Sequence, residues 1–168
     1  MANFEIAFEK TLLAEGGFKH TRVVHDMGGE TYAGISRKAN PDWRGWQFLD
    51  AGSTPPTDMV REIYRSQYWN RVCGSQISDQ SVAETIYDFA VNAGVATASK
   101  LAQTVAGVTP DGVIGPKSIA AINGTYPTFF NLAYFVAKIK RYEAIVSKDR
   151  TQGKFLLGWI RRSLKGLQ

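Results

Sequence analysis

A mainly α fold of about seven helices, with a small β-hairpin element after the first helix, is the architecture this sequence predicts. Three observations carry it. Helical apolar spacing recurs through most of the 168 residues, it disappears over residues 18–35, and Gly, Pro and Asp signals punctuate the boundaries. With 44% hydrophobic and 21% charged residues, the chain is long enough and apolar enough to bury a core.

Phe4, Phe8 and Leu12 recur at every fourth position with Ala7 beside them, which makes residues 3–14 an amphipathic helix. Next, Val23-Val24, the turn signal Asp26-Met27-Gly28-Gly29, and Thr31-Tyr32-Ala33-Gly34-Ile35 fit short extended pieces around a glycine turn. Pro55-Pro56-Thr57-Asp58 starts a second helix, whose buried face of Val60, Ile63, Tyr64 and Val72 carries it to about Arg71. Asp79 or Ser81 caps a third, which runs to Asn92 and closes at Gly94. A fourth covers residues 96–106 and stops at Gly107. After the turn-rich joint of residues 107–116, Pro116 suits the first position of a fifth. A long helix over residues 128–146 and a terminal one from about Lys154 complete the count.

Several classes of protein are excluded. No window approaches the roughly 18 uninterrupted apolar residues of a membrane span. Cys73 is the one cysteine, so neither an intramolecular disulfide nor a cysteine-rich zinc site can form, and a small buried hydrophobe is its expected role. His20 and His25 precede Asp26 and could in principle join it at a metal, but no helix places two histidines one turn apart, and no metal or other cofactor is expected. The net charge of +5 is uneven: residues 138–168 hold nine Lys/Arg against Glu143 and Asp149, a net +7, which leaves −2 for the rest. Such a basic end is drawn to an anionic polymer or surface, such as nucleic acid, lipid or a cell wall bearing acidic peptides. The interleaved Phe155, Leu156, Leu157, Trp159 and Ile160 make it an amphipathic helix that docks on the core.

Glu15 is the most informative single residue. It ends an apolar helical stretch and runs into Gly16-Gly17. Aliphatic and aromatic neighbours desolvate a carboxylate at such a helix end, which raises its pKa and lets it hold a proton near neutral pH. The glycines leave room for a substrate. A protonated acid in an open cleft can protonate a leaving oxygen, the first requirement of glycoside hydrolysis. Asp26 on the turn and Thr31 beyond it supply the rest of a two-carboxyl scheme, because Asp26 can activate a water that the Thr31 hydroxyl orients.

Glu15-Gly16-Gly17-Phe18, Asp26-Met27-Gly28-Gly29-Glu30-Thr31 and Gly34-Ile35-Ser36 together resemble the N-acetylmuramidase and secretion activator family, glycoside hydrolase family 108. Phe18 stands where that family usually has Tyr, and Met27 where it has Pro. The resemblance implies a lysozyme-like fold and makes Glu15 the essential catalytic residue. The Glu, Asp, Thr order is also similar to that of phage-type endolysins, which supports Asp26 and Thr31. Residues 87–94 and then 101–118, containing Asp111-Gly112 and Gly115-Pro116, resemble the predicted peptidoglycan-binding region that accompanies the motif. The Asp111 to Pro116 turn could equally serve the fold alone.

The expected organisation is a catalytic region at residues 1–75 and a peptidoglycan-binding helical region at residues 76–168, packed as one unit. Its expected activity is hydrolysis of the β-1,4 bond between N-acetylmuramic acid and N-acetylglucosamine by Glu15, Asp26 and Thr31. Candidate substrate contacts are Phe18, His25, Tyr32, Tyr68, Trp69, Tyr87, Asp88 and Asn92, with Tyr64 as a further ring. Asp88 and Asn92 share a helix face, and the aromatic rings could stack on sugars or fill the core. A lytic transglycosylase, a non-catalytic wall-binding or secretion-regulating protein, and a nucleic-acid binder remain as alternatives, the last leaving the Glu15 to Thr31 pattern without a use. The first residues lack a basic stretch followed by an apolar one, so the expected route is synthesis in the cytoplasm and action on the wall after release or assisted export.

Overall fold

In the computed structural model, which describes residues 1–22 and 29–167, the expected α-rich, lysozyme-like fold is present. Among the described residues there are eight α-helices and one three-stranded antiparallel sheet, divided between two units, Glu5–Gln67 and Met1–Phe4 with Tyr68–Gln168.

The first of these units holds most of α1 (Phe4–Ala14), strands β1 (His20–Arg22), β2 (Glu30–Tyr32) and β3 (Ile35–Ser36), and helices α2 (Gly45–Asp50) and α3 (Thr57–Tyr64). The α1 stripe is buried as its spacing requires, and Phe8 meets Tyr64 edge-on at 5.5 Å. Two features depart from expectation. The sheet has a third strand, because Ala33 and Gly34 form a two-residue loop with positive φ at both positions, 49° and 77°. Positive φ at both loop positions is the turn whose twist matches paired strands, but alanine is not a residue that signals it. The added helix is α2, too short to show a period. It forms around Trp46, which is buried and donates its indole N–H to the Asn40 carbonyl at 2.6 Å. Its first residue, Gly45, lies against the Trp43 ring, where a Cβ would approach to 2.3 Å.

Beyond α3 the helix expected to reach Arg71 changes course. After α3 comes a π-helical turn (Arg65–Trp69), then two short 3-10 turns (Asn70–Val72 and Gly74–Gln76) joined by Cys73 at φ 52°. Trp69 is the cause on which they converge. Its ring packs edge-on with Phe4 at 5.7 Å and Tyr87 at 5.5 Å, its indole N–H donates to Ser75 Oγ at 2.8 Å, and Gly74 presses on its face. Cys73 is half-buried, and its thiol donates to the Ile114 carbonyl at 3.3 Å. Burial pushes that thiol's pKa up.

Helix α4 (Gln80–Ala93) is capped by Asp79, which accepts from the Val82 N–H at 3.0 Å and from Ser81 Oγ at 2.6 Å. Helices α5 (Val95–Val105), α6 (Pro116–Gly124), α7 (Pro127–Lys148) and α8 (Gly153–Lys165) follow the expected boundaries closely. The Asp111 to Pro116 turn is organised by buried Gln103. The two hydrogens of its amide Nε2 are shared among Asp111 Oδ1 at 2.7 Å, the Val113 carbonyl at 3.0 Å and Ser118 Oγ at 3.0 Å, while its Oε1 accepts from the Gly112 N–H at 2.8 Å. These bonds give the turn a structural task, since a buried amide must satisfy its own donors and acceptor.

One buried cation stands out. Lys138 of α7 is 4% exposed, lies over the rings of Tyr134 (5.4 Å) and Phe89 (5.9 Å), and donates to Thr85 Oγ1 at 3.3 Å. Burial lowers its pKa from 10.5 to about 8, with Arg162 adding to the drop and Asp88 opposing it. An unfolded chain therefore binds one more proton than the native state between about pH 8 and 10.5, so stability rises with pH across that window. The span corresponds to roughly 3 kcal/mol. Burial also raises the pKa values of Tyr134 and Tyr142, which reverses the trend above about pH 10. Urea unfolding from pH 8 to 9.5 should show stability changing more favourably with pH in the wild type than in Lys138→Met, in which the raised Cys73 pKa leaves only a decline.

Candidate active site

The end of α1 explains the glycine pair after Glu15. The Gly17 N–H bonds to the Leu12 carbonyl at 2.8 Å and the Gly16 N–H to the Leu13 carbonyl at 3.1 Å, with φ of 71° and 92° at the two glycines. That pattern is a Schellman cap, which places Glu15 at the last half-helical position and needs a left-handed residue directly after it. Among the described residues a Cβ at Gly16 or Gly17 would meet nothing within 4 Å, so it is the backbone conformation, with φ positive at both, that requires the glycines.

Glu15 is half-buried, and the β2–β3 loop lies against it. A Cβ on Gly34 would come within 3.2 Å of Glu15 Cβ and 3.3 Å of its Cγ, and within 2.6 Å of the Tyr64 hydroxyl. Tyr64 is buried and donates to the Ala33 carbonyl at 2.9 Å, so α3 holds the loop in place. Glu15 is thus positioned from two sides: by the cap on its backbone and by a side-chain-free residue on its aliphatic carbons.

The sheet supplies a row of hydroxyls. Thr31 pairs across strands with Thr21 and with Ser36, which puts the three side chains on one face. Tyr32 and Ile35 occupy the opposite face and are buried. Sequence reasoning singled out Thr31 and passed over Thr21 and Ser36, although the strand period of two carries that signal. Also on the Tyr32 face is Glu30, whose side chain is only 10% exposed and which accepts from Arg37 Nη1 at 2.7 Å and lies 2.8 Å from His20 Nε2. Arg37 continues to Asp50 through two bonds of 2.7 and 2.6 Å and stacks over Trp46 at 5.2 Å. The Asp50 and Glu30 hydrogen bonds raise the pKa of Arg37, keeping it charged. This chain from His20 to Asp50 ties the sheet to α2.

Phe18 is exposed, with its ring 6.5 Å from that of Tyr32. Tyr32 stacks on Trp43 at 6.1 Å and belongs to the core. His25 and Asp26 lie outside the described residues. In the other unit, Tyr68 is half-buried, whereas Trp69 and Tyr87 are buried rings packed on each other and on Phe4. Stacking on a sugar needs an open ring face, and Tyr64, Trp69 and Tyr87 have theirs covered. Asp88 receives two bonds from Arg162, from Nε at 3.1 Å and from Nη2 at 2.8 Å, and so anchors α8, while Asn92 on the same helix is exposed.

A glycosyl hydrolase 108 family model matches residues 8–94, more than half of the chain, and the Predicted Peptidoglycan domain matches residues 97–164. The protein belongs to glycosyl hydrolase family 108. Among solved structures it is similar to Brucella abortus SagA, at 30% identity and a TM-score of 0.77, over 98% of this chain and 91% of that one. No curated protein sequence matches. Together the two domain matches give the protein a peptidoglycan-related function and peptidoglycan as its partner.

Proposed function

We propose that the protein hydrolyses the β-1,4 bond between N-acetylmuramic acid and N-acetylglucosamine, with Glu15 as the general acid. The observation that supports this best is the double constraint on Glu15, from the Schellman cap and from Gly34, inside the region that matches the glycosyl hydrolase family. An acid held this way has its carboxyl group oriented before substrate arrives, which is what proton donation to a leaving oxygen requires. Asp26, with Thr31, would position and deprotonate the water. That role implies inversion at the anomeric carbon and a carboxyl separation of roughly 6.5–9.5 Å between Glu15 and Asp26, against about 5–5.5 Å for a retaining pair. Exposed Phe18 would contact the glycan beside the acid, and His25 is the further candidate contact from the sequence. In this reading the catalytic region is residues 1–75, residues 76–168 hold the wall, and the protein reaches the wall by release or assisted export.

Mass spectrometry of purified peptidoglycan after digestion tests the reaction type. Fragments with reducing N-acetylmuramic acid ends, one water having been added for every bond cut, are the expected products. Anhydro-muramic ends would instead make the protein a lytic transglycosylase. Pelleting with peptidoglycan without any fragments would make it a binding or secretion-regulating protein.

A further inference from the structure

The outward face of α8 has no part in the chemistry above. Lys154, Leu157, Gly158, Arg161, Leu164 and Lys165 follow the spacing i, i+3, i+4, i+7, i+10, i+11, which gathers them on one helical face, and all six are exposed. The other side of the helix does the docking. Trp159 stacks on Tyr142 at 5.2 Å, Ser163 Oγ meets the Tyr142 hydroxyl at 3.1 Å, and Arg162 grips Asp88.

Docking therefore leaves Leu157 and Leu164 in solvent, 57% and 47% exposed, inside an arc of three cations. No acidic residue follows Asp149 in the sequence to offset them. A single exposed leucine is ordinary on any protein surface. Two of them seven residues apart, flanked by Lys154, Arg161 and Lys165, and with Gly158 adding no side chain that would hold a surface away, form a face of mixed apolar and cationic character. Its complement has anionic charge at the surface and hydrocarbon just beneath.

We propose that this face of α8 docks on an anionic phospholipid surface and lies in the headgroup plane. Lys154, Arg161 and Lys165 meet the phosphates, and Leu157 and Leu164 reach the acyl boundary. No helix among the described residues is long and apolar enough to cross a membrane, so the contact is interfacial. Peptidoglycan is the poorer match for this particular face. Its carboxylates would satisfy the cations, but a hydrated polymer offers no hydrocarbon to the two leucines.

Sedimentation of the full chain with vesicles tests the proposal without reference to glycan cleavage. Binding to vesicles of phosphatidylglycerol and phosphatidylethanolamine should exceed binding to phosphatidylcholine vesicles by at least about tenfold and should weaken as salt rises. The pair Leu157→Ser and Leu164→Ser should lower binding to the anionic vesicles about tenfold or more, and so should the charge pair Lys154→Gln and Lys165→Gln. Circular dichroism of these outward-facing variants should match that of the wild type. Equal binding to neutral and anionic vesicles, or leucine variants that bind as the wild type does, would overturn the proposal. So would pelleting with peptidoglycan alone that Arg161→Glu abolishes, which would assign the face to the wall polymer. Failure of the glycosidase reading would leave vesicle binding unchanged.

Discussion

Replacing Glu15 by glutamine is expected to cut the release of reducing ends from purified peptidoglycan by about 100-fold to 10,000-fold, the usual contribution of a positioned general acid. The amide cannot deliver a proton to the glycosidic oxygen. Glutamine keeps the Cβ and Cγ that lie against Gly34, and the cap that fixes the residue is made by backbone atoms of Leu12, Leu13, Gly16 and Gly17. The variant should therefore melt near the wild-type temperature and still pellet with peptidoglycan. Fragment release equal to that of the wild type would remove Glu15 from the acid role.

Gly34→Ala is expected to damage both stability and activity. The residue sits at φ 77°, where an L side chain is strained by about 1–3 kcal/mol, and its Cβ would stand 2.6 Å from the Tyr64 hydroxyl and 3.2 Å from Glu15 Cβ. Relief of that crowding has to move the loop away from α3, which breaks the Tyr64 bond to Ala33, or move Glu15 itself. Together these effects should cost about 2–4 kcal/mol, lowering the melting temperature by about 5–10 °C. Activity in the fraction that remains folded should also fall, because a displacement of about 1 Å at a reacting group costs on the order of 100-fold. A variant that melts and cleaves like the wild type would show that the β2–β3 loop has no part in placing the acid.

The two experiments separate what was legible in the chain from what was not. Glu15 stood out because an acid beside a glycine pair at a helix end combines three local signals in four residues. Helices α4 to α8 were legible for a similar reason, since apolar period and caps such as Asp79 and Pro116 are properties of neighbours in sequence. The β2–β3 loop was not, because Ala33 has no preference for positive φ and is held there by the Tyr64 hydroxyl, 31 residues away. The turns around Trp69 carry no local signal either. Nothing local distinguishes a ring that ends a helix by packing on Phe4 and Tyr87 from one on an open face.

The same limit applies to the candidate contacts. An aromatic residue at helical spacing has one signature whether it faces a sugar or the core, so the burial of Tyr64, Trp69 and Tyr87 emerged only with the fold. Asp88 and Asn92 share a helix face, but only the packing of α8 shows that Asp88 is held by Arg162, 74 residues further on.

By itself, then, the sequence determined that the protein is α-rich, that it carries a small β element after its first helix, and that Glu15 is the residue to watch. These follow from interactions between residues a few positions apart. Tertiary structure alone decided that Gly34 lies against Glu15, that the aromatic candidates divide between the core and the surface, and that α8 turns a cationic, leucine-bearing face outward. Each of those depends on which distant segment occupies the adjoining space, and packing, unlike helical period, leaves no mark on neighbouring residues.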